Sequence, residues 1–182
     1  MADTAIRKSA LAGRHGGSAS VRLTPAPDAI RVALRAPAGS LKALSSALGV
    51  TIPVAPKTSG RKEGRSALWL GPDEWLVIDE SGGDLMTALS KSGALHSATD
   101  VSHRNVAIVV SGPGAEATIS AGCPQDLSLG AFPVGGCTRT LFGKAEIVLF
   151  RTEDDTFRVE CWRSFADFVF GLLVEGAEDA AH

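Results

Sequence analysis

Residues 106–115 read VAIVVSGPGA, and this stretch decides the fold because it joins a strand to the start of a helix. Its first five residues are apolar on both alternating faces, which is typical of a strand covered on both sides. Pro113 suits the first turn of a helix, where its fixed φ and missing N–H are tolerated. The same order occurs earlier, where residues 30–37 read IRVALRAP. The repetition predicts two similar units along the chain.

Each unit continues with two strands around a glycine turn and then with a second helix. Gly71 follows Pro37 by 34 positions, and Gly143 follows Pro113 by 30 positions. The order strand, helix, strand, strand, helix therefore occurs twice. It predicts an α+β fold made of two related split βαβ, ferredoxin-like halves with mixed or antiparallel sheets.

These patterns divide the chain into four predicted segments. They are a mobile N-terminal tail (1–20), a first α/β half (21–102), a second α/β half (103–176) and a C-terminal tail (177–182). The first segment is rich in Gly, Ser and Ala, and its alternative interpretation is an arm that becomes ordered on a partner. It contains no apolar run of the kind found in secretory signals, so we expect a cytoplasmic protein.

The composition argues against several classes of protein. The 182 residues include 18 Lys and Arg against 20 Asp and Glu. This near balance argues against a nucleic-acid partner and against a polybasic membrane-binding protein. Three cysteines without a CxxC pair predict neither a disulfide framework nor a zinc site. No apolar run approaches the ~18 residues of a membrane-spanning helix.

Two motifs resemble catalytic or cofactor sites, but a structural interpretation suits each of them better. Residues 112–117 match the dinucleotide pattern G-x-G-x-x-A, yet no acidic residue ends a strand about 20 positions later. On one strand, Asp100 and Ser102 share a face while His103 points to the other, which argues against a catalytic triad. The four histidines lack metal-ligand spacing. We therefore predict no catalytic, cofactor-binding or metal-binding residue in this chain.

Two surface features are candidates for binding. The loop 57–65 carries four basic side chains, which can bind phosphate, a polyglutamate tail or an acidic partner. Its alternative interpretation is a solvated loop, since an acidic residue lies among the bases and no aromatic residue is interleaved. Trp69 and Trp75 flank the first hairpin, and each is either a core residue or a residue of a protein interface. Together with His103 and Arg104, they are the predicted candidates for partner contact.

The last helix is predicted to begin at Ser164, which forms a capping box with Asp167. Apolar residues then recur at helical spacing and predict a single face directed at the core. The residues assigned to that face are Phe165, Phe168, Val169, Leu172 and Leu173.

Three stretches together carry a resemblance to known families. Residues 100–103 read DVSH and run into the apolar strand and the G-x-x-A helix start at residues 112–115. This arrangement resembles the folate-binding aminomethyltransferase family of the glycine cleavage T-protein, and the similarity continues through LFGKAEIVLFR at residues 141–151. With LGPDEWL at residues 70–76, the chain is most similar to the gamma-subunit family of heterotetrameric sarcosine oxidases, which shares this fold.

The resemblance implies a T-protein-like fold and a non-catalytic subunit. The complex would demethylate sarcosine to glycine and form hydrogen peroxide and 5,10-methylenetetrahydrofolate. Flavins, NAD and tetrahydrofolate would reside in larger flavoprotein subunits. In the T-protein family, the hairpin matching residues 143–151 carries paired aspartates, one of which acts on folate, whereas this chain has Ala145 and Glu146. Because Ala145 cannot accept a proton, we expect the chain alone to be inactive.

Two other functions remain open from the sequence. The first is a stand-alone folate-binding protein that resembles an aminomethyltransferase. The second is an adaptor in RNA modification, which the charge balance does not favour. Binding of tetrahydrofolate by the isolated chain would favour the first, whereas co-purification with yellow, flavin-bearing subunits would favour the subunit role.

Overall fold

The computed structural model describes residues 10–181, which form two antiparallel sheets with α-helices packed on them. In spatial order, the first sheet contains β4 (Ser59–Lys62), β5 (Arg65–Gly71), β6 (Glu74–Asp79), β3 (Ile30–Arg35) and β7 (Ser97–Asp100). The second sheet contains β1 (Gly16–Gly17), β2 (Arg22–Pro25), β8 (Asn105–Ser111), β11 (Thr156–Trp162), β10 (Ala145–Glu153) and β9 (Cys137–Phe142). The helices are α1 (Leu41–Leu48), α2 (Leu85–Lys91), α3 (Ala115–Ser120) and α4 (Ala166–Asp179), with short 3₁₀ turns at Ala38–Ser40 and Arg163–Phe165. None of the helices in this described range is long and apolar enough to cross a membrane.

The two sheets repeat one arrangement, as the sequence predicts. In each, a strand leads into a helix, three antiparallel strands follow, and the last of them pairs with the first strand. By this order β3 corresponds to β8, and the strands β4, β5 and β6 correspond to β9, β10 and β11. The α+β prediction of two related halves is therefore confirmed, and both sheets are antiparallel.

The structure corrects the predicted match between the glycine turns of the two halves. Gly71 lies in the β5–β6 turn, whereas Gly143 lies in the β9–β10 turn, which corresponds to the turn between β4 and β5. The discrepancy arises because β4 was predicted as part of a long loop. Its sequence, SGRK, lacks the apolar alternation of a strand because β4 is an edge strand with two exposed cations.

The ends of the chain also differ from the predicted segments. Residues 1–9 of the predicted tail lie outside the described residues, but Leu11 is buried in the core of the second sheet. The strand β2 pairs with β8, with Leu23 opposite Val110, so this segment belongs to the second sheet and not to the first half. At the other end, α4 continues to Asp179 and buries Ala177. These segments are ordered because each covers apolar surface of the second sheet.

Each sheet is covered on both faces by the chain itself. One core lies between the first sheet and helices α1 and α2, and another lies between the second sheet and helices α3 and α4. A third apolar cluster joins the two sheets; it contains Leu68, Leu76, Ile78, Val101, Cys137, Val148 and Phe150. The apolar character of both strand faces thus reflects packing of one half on the other.

A buried ion-pair network completes the contact between the sheets. Arg31 of β3 donates from Nε to Glu160 of β11 at 2.6 Å. Arg158, two residues earlier on β11, donates from Nε to the other oxygen of Glu160 at 2.7 Å and from Nη1 to Glu80 at 2.5 Å. All but Glu80 are buried. The shared carboxylate balances charges that the two sheets bring into a dry interior.

The start of the last helix differs from the prediction. A 3₁₀ turn occupies residues 163–165, and Phe165 precedes α4 without a side-chain capping hydrogen bond, so Ser164 is not the cap. Val169 is fully buried, while Phe168 is 46% exposed. Consecutive helical residues point about 100° apart, and the buried side of α4 contains Val169, Phe170 and Leu173. Phe168 lies outside that side, so the predicted apolar face packs on the core only in part.

We predict that Glu160→Gln destabilises the chain by about 3–5 kcal/mol, because two buried arginines lose their shared carboxylate. The measurement is the free energy of unfolding from urea denaturation. Glu146→Gln, on the exposed surface of the neighbouring strand, is the matched control and should change this free energy by less than about 0.5 kcal/mol. Equal stability of both variants would contradict the assigned role of Glu160.

Candidate functional site

The DVSH segment forms the turn that carries the chain from the first sheet to the second. Asp100 accepts hydrogen bonds from the Ser102 N–H at 2.8 Å and from its hydroxyl at 2.5 Å. The Ser102 hydroxyl oxygen in turn accepts the Arg31 N–H at 2.9 Å. His103 is exposed on the outside of the turn. The hydrogen bonds of Ser102 and Asp100 thus hold the crossover in place, and the imidazole is not part of that arrangement.

The resemblance to the T-protein family matches the hairpin between β9 and β10 to one that is expected to carry paired aspartates. Ala145 is fully buried in the core of the second sheet. The side chain of Glu146 is 52% exposed, and its carboxylate lies 4.0 Å from Nε of Arg139. One position therefore has no acid, and the other directs its acid to the surface.

Two of the three cysteines, Cys137 and Cys161, are held as neutral thiols. Cys137 donates from Sγ to the carbonyl oxygen of Thr58 at 3.1 Å, and burial raises the pKa of its thiol to about 12. Burial, followed by the charge of Glu160, raises the pKa of Cys161 to about 12 as well. Cys123 is also buried. Since the thiolate is the reactive form, Cys137 and Cys161 serve packing and not nucleophilic chemistry.

Three cations of the basic segment 57–65 line one open cleft together with Glu63 and Glu80, and they are Arg61, Lys62 and Arg65. The middle of the segment forms β4. The partners that its cations contact are the Phe150 ring for Arg61 (5.4 Å), the Asp79 carboxylate for Arg65 (2.7 Å) and the Gln125 side-chain oxygen for Lys57 (3.1 Å). These contacts favour a structural role for the segment.

The two tryptophans of the first hairpin face each other across β5 and β6. Trp75 is only 1% exposed, and its Nε1 donates to the Pro53 carbonyl oxygen at 2.8 Å. The interpretation of Trp75 as a partner contact is therefore replaced by a core role. Trp69 is partly buried against the same core, and its role in partner contact stays a prediction.

The other two candidates, His103 and Arg104, lie beside exposed aromatic residues, of which the sequence analysis assigned Phe165 and Phe168 to a core-facing side of the last helix. Trp162, Phe165 and Phe168 are 41%, 40% and 46% exposed. The Trp162 and Phe165 ring centroids lie 6.2 Å apart, and the Arg104 guanidinium lies 5.1 Å from the Trp162 ring centroid. We call Arg104, Trp162, Phe165 and Phe168 the aromatic patch.

Three chain segments build the aromatic patch. Trp162 ends β11, Phe165 ends the 3₁₀ turn, and Phe168 lies in the first turn of α4. The Arg163 N–H donates to the Arg104 carbonyl oxygen at 2.7 Å and ties this segment to the turn after β7. A shallow cleft beside the patch is lined by Ala10, His103, Arg104, Trp162, Arg163 and Ser164.

A signal for the aromatic patch was present in the sequence. Residues 165–173 read FADFVFGLL, and their apolar residues cover a wider arc of a helix than one packed face needs. The apolar residues outside the packed face must contact water or another molecule. Their position beside His103 and Arg104 is set by the pairing of β8 with β11, which the local pattern does not contain.

We predict that the cysteines of the native chain react slowly with a disulfide-exchanging reagent at pH 8. With pKa values near 12, Cys137 and Cys161 are thiolates in on the order of one molecule in ten thousand. The absorbance of the released thiol should rise quickly only after urea is added. Rapid reaction of Cys137 before unfolding, identified by peptide mass, would contradict the assignment of a packed thiol.

Comparisons with known proteins agree in family and fold. A family model described as sarcosine oxidase, gamma subunit family, matches residues 33–179. The sarcosine oxidase subunit gamma of Arthrobacter sp. is 34% identical over 160 residues, 84% of this chain and 78% of that protein. The subunit of the same name from Corynebacterium sp. strain P-1 is 30% identical and covers 89% and 82% of the two chains.

Solved structures extend this agreement. A chain of the heterotetrameric sarcosine oxidase from Corynebacterium sp. U-96, solved with pyrrole 2-carboxylate, superposes with a TM-score of 0.87, 26% identity and 97% coverage of both chains. The glycine cleavage aminomethyltransferase T of Bartonella henselae shares the fold, with a TM-score of 0.66, 15% identity and coverage of 88% of this chain and 50% of the other. On the family match and these relatives, the chain belongs to the sarcosine oxidase gamma subunit family.

Proposed function

We propose that this chain is a non-catalytic gamma subunit of a heterotetrameric sarcosine oxidase. The complex would oxidise sarcosine with O₂ and pass its methyl carbon to tetrahydrofolate, which yields glycine, hydrogen peroxide and 5,10-methylenetetrahydrofolate. Family membership supports this role, as does the superposition of nearly the whole chain on a subunit of such a tetramer.

The observation that carries the non-catalytic part of the proposal is the filling of the space between the two sheets. Apolar side chains fill part of this space, and they are Leu76, Ile78, Val148 and Phe150. The ion pairs of Glu160 fill another part of it. Sites for ligands of folate size commonly need several hundred Å³. The side chains that fill this space favour a structural role for the region.

The hairpin at residues 143–146 supports the same conclusion. A pterin-binding or proton-accepting carboxylate must reach its ligand at hydrogen-bond distance. Ala145 has no such group, and Glu146 lies at the surface beside Arg139. A stand-alone folate-dependent aminomethyltransferase is therefore the less favoured function, although the fold is shared.

The chemistry is best assigned to larger partner subunits. We infer that these flavoprotein subunits hold the flavins, the NAD and the tetrahydrofolate. Within residues 10–181, no group of three or more Asp, Glu, His or Cys side chains can hold a metal ion. The buried, unpaired cysteines suit a reducing compartment, which supports our proposal of a cytoplasmic complex.

We predict that the isolated chain neither consumes oxygen with sarcosine nor shows flavin absorbance, and that it does not bind tetrahydrofolate in a calorimetric titration. When the chain is co-expressed with the larger subunits, it should co-purify in a yellow complex that oxidises sarcosine. Because those subunits bind only the folded chain, its melting temperature should be higher in the complex than alone.

The outcomes of this experiment separate the two functions. Turnover by the chain alone, or one flavin per chain, would contradict the non-catalytic role. Tight binding of tetrahydrofolate, without any association with the larger subunits, would instead favour the stand-alone folate-binding protein. The larger subunits purified without this chain are the control for oxygen consumption.

A further inference from the structure

We propose that the aromatic patch is the surface through which this chain docks on a larger subunit of the complex. The partner surface that fits it is an apolar pocket bordered by carboxylates. This inference rests on the proposed function, to which it adds the docking residues and the chemistry of the surface that receives them.

The first argument is the concentration of exposed aromatic surface. Among the described residues, only three aromatic side chains are substantially exposed, and all three belong to the aromatic patch. The others are aliphatic or methionine side chains: Val54, Met86, Leu95, Leu129, Val134 and Leu141. Contiguous exposed apolar surface marks interaction sites, and aromatic residues with arginine dominate the binding energy of protein interfaces.

The second argument is that the rings are held in place before binding. Trp162 packs beside Phe165 and beneath the Arg104 guanidinium. Phe168 lies over the β9–β10 turn, where a Cβ added at Gly143 would come 3.4 Å from the ring. Side chains fixed in this way lose little conformational freedom on association, which favours their use as anchors.

The third argument is the charge at the edge of the patch. Within the described part of the chain, Arg104 has no carboxylate at salt-bridge distance, and its Nε donates to Asn105 at 3.3 Å. Asp167, the nearby acid on α4, is already paired with Arg14 at 2.6 Å. The patch therefore presents a guanidinium beside aromatic rings, which is complementary to a carboxylate at the rim of an apolar pocket.

These features favour a protein surface over a membrane. Interfacial membrane segments combine an apolar face with many Lys and Arg residues. Among the described residues, the cations that line the cleft beside Trp162 are Arg104 and Arg163, with His103 beside them. One stacked guanidinium and three fixed rings form a small, shaped surface, as expected for docking into a pocket.

The test uses two variants of the patch and two matched controls elsewhere. Phe168→Ser removes an exposed ring, and its control is Leu95→Ser, which removes an aliphatic side chain that is 76% exposed. Arg104→Glu reverses a charge, and its control is Lys42→Glu on the exposed side of α1. The measured quantity is the Kd of each chain for the larger subunits purified without it.

We expect Phe168→Ser to weaken binding at least about tenfold at any salt concentration, because the lost contact is apolar. Arg104→Glu should weaken binding about tenfold at low salt and less at high salt, because ions screen an exposed charge pair. Both controls should bind within about twofold of the unchanged chain. Oxidative footprinting should show Trp162 accessible in the free chain and protected in the complex.

Each alternative outcome overturns a different statement. If the unchanged chain binds and both patch variants bind equally well, the docking surface is wrong while the proposed function stands. If the unchanged chain does not bind, the proposed function fails and the docking surface fails with it. A dimer of the chain alone that Phe168→Ser dissolves, or vesicle binding in place of subunit binding, would overturn the proposed occupant. If the Phe168→Ser variant does not fold, the Kd of Arg104→Glu and the oxidative footprint of Trp162 test the docking surface.

Discussion

The carboxylate of Glu160 is the charge on which the joining of the two sheets depends. It accepts from Arg31 of one sheet and from Arg158 of its own strand, each at hydrogen-bond distance. A buried carboxylate without partners costs several kcal/mol, so any arrangement of the sheets that separates these groups is strongly disfavoured. Apolar packing alone tolerates sliding, whereas a shared, directional ion pair defines how one sheet sits on the other.

This manner of joining the sheets supports the non-catalytic role that we propose for a chain with an aminomethyltransferase-like fold. The interior between the halves is occupied by ion pairs and by the apolar cluster around Phe150. The DVSH segment, on which part of the resemblance to the T-protein family rests, carries the chain from one sheet to the other. We propose that the outer surface with the aromatic patch carries the function instead, because fold and activity are separable properties.

Much of the architecture could be predicted because it depends on local signals. Pro37 and Gly49 bound the first helical segment, and Gly49 ends α1 with a left-handed φ of +67°. The strand at residues 106–110 was recognisable from its continuous apolar run. The edge strand β4 was not recognisable, since it exposes charged side chains and is a strand only because β5 lies beside it. The cap at Ser164 failed because the chain makes a 3₁₀ turn there before α4 begins.

The sequence by itself determined the fold class and the repeat of two halves, and the family resemblance implied that Ala145 replaces the first hairpin carboxylate. The fold class and the repeat follow from residue types and from spacing along the chain, which are local properties. Only the tertiary structure decided that Trp75 is core, that Phe168 is surface and that Arg104 lies over Trp162. Each of these depends on contacts between segments far apart in the chain, and burial is set by what packs against a side chain and not by its chemical type.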